Sequence, residues 1–79
     1  KLYERRNMAS KKLKLGIYKH FKGTKVRVIC EALHSETKEP FVVYDHLEDN
    51  VRWIRPKKMF LEEVEVDGKK VPRFEYIGE

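Results

Sequence analysis

Apolar and polar residues alternate most regularly from Lys25 to Leu33, with Val26, Val28, Cys30 and Ala32 on one side and Arg27, Ile29, Glu31 and Leu33 on the other. A period of two is that of a half-buried strand, so this segment predicts the clearest strand of the chain, with small residues inward. Before it, Gly16 to Phe21 reads as a short strand ended by Lys22-Gly23-Thr24, where glycine supplies positive φ for a turn. After it comes the polar loop His34-Ser35-Glu36-Thr37-Lys38-Glu39-Pro40. Pro40 has no amide hydrogen for a ladder, so the next strand is expected to start at or just after it. Phe41 to His46 is rich in strand formers, Leu47 to Asn50 reads as a turn, and Val51 to Arg55 completes a hairpin.

Pro56 stops that strand and opens a single helical turn to Phe60, which Met59 and Phe60 are expected to anchor. Leu61 to Val66 and Lys70 to Ile77 then flank Asp67-Gly68, a dipeptide suited to a tight turn between antiparallel strands. Short strands spaced by about 8–12 residues, without a long amphipathic helix, predict a mainly β domain. Its expected form is a small SH3-like barrel or a strongly bent antiparallel sheet with one short helical turn.

The 79 residues suffice for one core. A chain this short buries only about 60% of its unfolded surface, so its aromatic side chains must carry much of the packing. Residues 1–14 are expected to be a basic tail, a linker or a remnant of expression, since the chain opens at Lys1 and Met8 is its first methionine; residues 15–79 form the β domain. Cys30 is the only cysteine, which excludes an intramolecular disulfide and fits a reducing, cytoplasmic setting. No apolar run is long enough for a membrane span, and no membrane role is expected.

The net charge of +5 changes this picture less than it first suggests. Lys1, Arg5, Arg6, Lys11, Lys12 and Lys14 against Glu4 account for all of it, and Gly16 to Glu79 is neutral. Within that neutral body the signs still segregate: Lys19, Lys22, Lys25 and Arg27 come early, Arg52, Arg55, Lys57 and Lys58 late, and Glu62, Glu63, Glu65 and Asp67 follow. A basic face is compatible with this pattern, and so is an ordinary mixed surface.

Candidate chemistry is sparse. His34, Ser35 and Glu36 bring a base, a hydroxyl and a carboxylate together, but neighbours on an extended chain point in opposite directions, so a relay is not expected; bonding of Ser35 and Thr37 to nearby amides is. His20, His34 and His46, with Glu36 or Asp45, have no recognised ligand spacing, and no metal or cofactor is expected. Trp53 and Arg55 share a strand face. They can offer stacking and a guanidinium fork to a nucleotide, or Trp53 can be core with Arg55 lying over it toward an acid such as Glu36. For Trp53 the core is the expectation.

Taken in order, Tyr18-Lys19-His20-Phe21-Lys22-Gly23, Val26-Arg27-Val28, His34-Ser35-Glu36-Thr37, Val42-Val43-Tyr44, Trp53-Ile54-Arg55-Pro56, Met59-Phe60, Val64-Glu65-Val66-Asp67-Gly68 and Val71-Pro72-Arg73-Phe74 closely resemble the bacterial family called domain of unknown function 1653. The resemblance spans about Leu15 to Ile77. Lys25 stands where the family usually has tyrosine, and Glu48-Asp49-Asn50 replaces a turn that often contains glycine. The resemblance implies a self-contained module and raises the standing of His34, Ser35, Glu36, Thr37, Tyr44, Arg55 and Pro56. The expectation is a non-catalytic binding module for nucleic acid or a nucleotide-like ligand, with His34, Ser35, Glu36, Thr37, Tyr44, Trp53 and Arg55 gathered at one rim. The alternative is a protein-interaction or accessory domain that positions a partner enzyme, using an edge strand or the Met59-Phe60 turn.

Overall fold

The structure, a computed structural model, describes residues 12–79. The greater part of the basic tail, residues 1–11, therefore lies outside the described residues. The strands are β1 (Gly16–His20), β2 (Lys25–Leu33), β3 (Pro40–His46), β4 (Arg52–Pro56), β5 (Glu63–Val66), β6 (Lys69–Pro72) and β7 (Phe74–Gly78), with one helical turn, α1 (Lys57–Phe60), after β4. Strands β4-β3-β2-β1-β7 form one antiparallel sheet, and β5-β6 pair separately.

The domain is mainly β, and of the two expected forms it takes the strongly bent sheet. It does not close into a barrel: β4 and β7 are the two edges of the sheet and share no ladder. They nevertheless approach each other across the concave face, where the Arg55 guanidinium carbon lies 5.6 Å from the Phe74 ring centre. Side-chain packing, rather than backbone pairing, therefore bridges the gap.

Strand β2 departs from its sequence period. Val26 pairs with His46 and Val28 with Tyr44, then the register slips by one so that Cys30 meets Val43, and Ile29 has no cross-strand partner. A bulge of this kind inverts the faces downstream of it. Cys30 and Ala32, expected inward, stand on the convex side and are exposed, whereas Glu31 joins the concave side opposite Val42. Lys57, at the start of α1, is buried to 2% exposure, and its ammonium reaches both Glu31 carboxylate oxygens at 3.1 and 3.2 Å. A buried ammonium requires such a partner, and the bulge supplies it.

The core occupies the concave face: Tyr18, Val26, Val28, Val42, Tyr44 and Phe74, capped by Phe60 from α1. Phe60 is 1% exposed and stacks on Phe74 at 4.2 Å, with Tyr18 and Tyr44 at 5.2 and 5.6 Å. Burying such a ring contributes about 1.5–3 kcal/mol. Of the expected anchors of α1, only Phe60 acts as one, since Met59 is exposed.

Two further expectations are corrected. Trp53 is not core but half exposed at 50%, because β4 is an edge strand and, among the described residues, no neighbour lies beyond it to cover that position. The segment Lys70 to Ile77 is two strands, not one. Pro72 cannot donate to a ladder, and the chain turns at Arg73, whose N–H leaves for the carbonyl of Glu62 at 2.9 Å. The Asp67-Gly68 turn forms as expected, both residues having positive φ, 52° and 77°. Among the described residues no helix is long and apolar enough to cross a membrane.

Candidate functional site

The ladder registers decide which polar side chains share the concave face. Residues directly opposite in an antiparallel pair project to the same side. Tyr18 faces Val26, which faces His46; Val28 faces Tyr44, which faces Trp53; His20 faces Phe74; Val42 faces Arg55. Tyr44 and Phe74 contact Phe60 and form part of the core layer. Beyond them lies a cavity of about 170 Å³, lined by His20, Lys22, Thr24, Val26, Tyr44, His46, Arg55 and Phe74.

Among the described residues no carboxylate lines this cavity. The residues around it carry one guanidinium, one ammonium, two imidazoles and two hydroxyls, a set rich in hydrogen-bond donors, with the Lys22 ammonium at the border, 5.8 Å from the centre of the Phe21 ring. Arg55 Nε lies 3.4 Å from the Tyr44 hydroxyl, and among the described residues the guanidinium has no carboxylate partner. Arg52, two positions earlier, is spent differently. It forks onto Asp45 at 2.7 and 3.0 Å and, by that hydrogen bonding, holds the Asp45 carboxyl below its usual range.

The turn after β1 orients His20. Gly23, with φ of 106°, lets the chain reverse, and His20 N–H bonds the Thr24 carbonyl at 2.6 Å. The Lys22 N–H donates to His20 Nδ1 at 3.2 Å, so the neutral ring carries its proton on Nε2. Partial burial, then the positive charges of Arg55, Arg73 and Lys22 and the neighbouring His46, push the His20 pKa below its ordinary 6.5. Burial first, and the surrounding positive charge second, thus disfavour a further proton on His20. Arg73 adds to this field from the bend between β6 and β7, where its Nη2 meets Glu62 at 3.2 Å.

Of the residues singled out in the sequence, Tyr44 and Arg55 line the cavity, and Trp53 stands beside it with its ring 6.0 Å from that of His46. His34, Ser35, Glu36 and Thr37 are not brought to this place. They form the loop at the opposite end of the β2–β3 hairpin, closed by Leu33 opposite Pro40, while the cavity sits at the end closed by Val26 opposite His46. Arg55 accordingly meets Tyr44 and Phe74 and not Glu36. In the loop, His34 Nδ1 accepts the Glu36 and Thr37 N–H groups at 3.1 and 3.3 Å, and Thr37 Oγ1 accepts that of Glu39 at 3.2 Å. Their acceptors are spent on the turn itself.

Sequence reading overlooked His20, Lys22, Thr24, His46 and Phe74 as a group. One signal for them was available: His20 and His46 each close a strand that leads into a turn, which is where side chains of separate strands converge at one rim.

A family profile described as "Protein of unknown function (DUF1653)" matches residues 16–76. The crystal structure of a protein of that family from Bordetella bronchiseptica is similar to this chain, with 30% sequence identity and a TM-score of 0.77 over 84% of this chain and 88% of the other. No curated protein matches the chain. With the profile running from the first residue of β1 to the middle of β7, and the bent sheet shared with a solved relative, this chain belongs to the DUF1653 family.

Proposed function

We propose that the domain is a non-catalytic binding module whose concave cavity receives an anionic group of nucleic acid or of a nucleotide-like ligand. The observation that carries this reading is the convergence of His20, His46, Arg55 and Lys22 on one cavity that no carboxylate of the described residues lines. Such a site attracts negative charge and, being half enclosed by Tyr44 and Phe74, screens it less than open solvent does. Trp53 at the border offers a ring on which a base can stack, a contact worth about 1–3 kcal/mol per base. The basic tail would add affinity without sequence preference. The exposed thiol of Cys30 suits a reducing, cytoplasmic setting.

Fluorescence anisotropy with mixed single-stranded RNA and DNA over a salt series tests this reading. Binding is expected to strengthen as salt falls, and Arg55→Ala is expected to weaken it by roughly tenfold. Absence of binding at low ionic strength removes the reading.

A protein-interaction role is favoured by one different observation, the unpaired edge of β4 with Ile54 62% exposed on the convex side. The Met59-Phe60 turn is less suited to that role, because Phe60 is core. Binding to a protein that ignores salt and is lost in Ile54→Asp would shift the weight to this role.

A further inference from the structure

The shape of the cavity narrows the ligand. Its lining comes from all five strands of the large sheet and from the turn after β1: Phe74 of β7, His20 of β1, Val26 of β2, Tyr44 and His46 of β3 and Arg55 of β4, with Lys22 and Thr24 at the turn. Contributions from five strands and a turn surround it as a cup, a shape that suits the end of a molecule. The volume of about 170 Å³ is ample for one tetrahedral anion.

The donors match one kind of end. An internal phosphodiester carries a single charge, offers two free oxygens and must leave the site on both sides. A phosphate monoester carries about −1.5 to −2 at neutral pH and presents three oxygens from one attachment point. Arg55 and Lys22 supply two positive charges, Arg55 as a fork, while the His20 Nε2–H, His46 and the hydroxyls of Thr24 and Tyr44 remain for further oxygens. Trp53, half exposed with its ring centre 6.0 Å from that of His46, offers a nearby ring on which an attached base can stack.

We propose that the cup formed by His20, His46, Arg55 and Lys22 binds the terminal phosphate monoester of an oligonucleotide or mononucleotide. This rests on the reading of the cavity as an anion site for nucleic acid or nucleotides, and it adds a requirement which that reading lacks: a free phosphorylated end.

The test uses the whole chain and one short single-stranded oligonucleotide in three forms, with a 5′-phosphate, with a 3′-phosphate and with neither, followed by anisotropy at fixed salt. One phosphorylated form is expected to bind at least about tenfold more tightly than the unphosphorylated form. Competition by the matching nucleoside monophosphate, and not by the nucleoside, identifies the mononucleotide as a sufficient source; competition by the phosphorylated oligonucleotide alone makes the oligonucleotide end the ligand. His46→Ala and, as a milder change, Arg55→Lys are expected to abolish the preference while leaving weak, salt-dependent binding of the unphosphorylated strand, with circular dichroism confirming the fold. Equal binding of all three forms overturns the monoester proposal and leaves the broader anion reading standing. No binding of any form overturns both. A preference that survives in both variants places the phosphate elsewhere and overturns the proposal.

Discussion

The two ends of the β2–β3 hairpin carry similar residue types and use them differently. At the loop end, His34, Ser35, Glu36 and Thr37 are consecutive and exposed, and His34 and Thr37 accept hydrogen bonds from the amides of their own turn. At the other end, His46 is joined around one cavity by His20 and Lys22, from β1 and its turn, and by Arg55 of β4. A run of polar residues close in sequence can satisfy itself locally. At the cavity His20 Nδ1 likewise accepts an amide of its turn, but the Arg55 guanidinium meets the Tyr44 hydroxyl and, among the described residues, no carboxylate. Proximity in the chain is therefore a poor guide to a binding site in a fold of this kind.

That contrast depends first on the core layer beneath the cavity. Phe60→Ala removes the ring that touches Tyr18, Tyr44 and Phe74 and is expected to cost about 3–5 kcal/mol, measured by urea denaturation. In a domain of this size such a loss removes most of the stability, and the cavity end should lose its order with it. A loss below about 1 kcal/mol would mean that the layer is not built as described.

A second device fixes α1 to the sheet. Glu31→Ala leaves the buried Lys57 ammonium without its carboxylate and is expected to cost about 1–3 kcal/mol by thermal and chemical denaturation. Lys57→Met, which removes the charge and keeps the length of the stem, is expected to be close to neutral. Equal and large losses in both variants would show that the ion pair itself, and not the relief of a buried charge, stabilises the turn.

The smallest effect is expected at the loop end. His34→Ala removes the acceptor for two turn amides that water can reach, so a cost of about 0.5–1 kcal/mol is expected with no change in oligonucleotide affinity. A drop in affinity comparable to that of Arg55→Ala would dissolve the distinction between the two ends.

Much of the secondary structure was legible from local chemistry. The Asp67-Gly68 turn, the strand start at Pro40 and the helical turn after Pro56 follow from backbone freedom and missing donors, which need no tertiary context. The break at Arg73 was not read, although Pro72 beside it carries the same missing donor. The bulge at Ile29 was not legible, because alternation of Val26, Val28, Cys30 and Ala32 is equally consistent with an unbroken register. The exposure of Trp53 escaped the sequence too: its size argues for burial, and only its place on an edge strand decides otherwise. Tyr44, Trp53 and Arg55 were singled out and lie in or beside the cavity, while His20 and His46 were read as isolated histidines at strand ends and Lys22 as part of an early basic group.

By itself, then, the sequence determined that this is a mainly β domain of the DUF1653 family, where most of its strands begin and end, and which aromatic residues are available to hold it. Tertiary structure alone decided that the sheet bends without closing, that Glu31 turns inward to meet Lys57, and that two histidines, an arginine and a lysine share a cavity. The reason is physical: turns and periods depend on neighbours in the chain, whereas register and curvature depend on pairings between strands, which no single segment encodes.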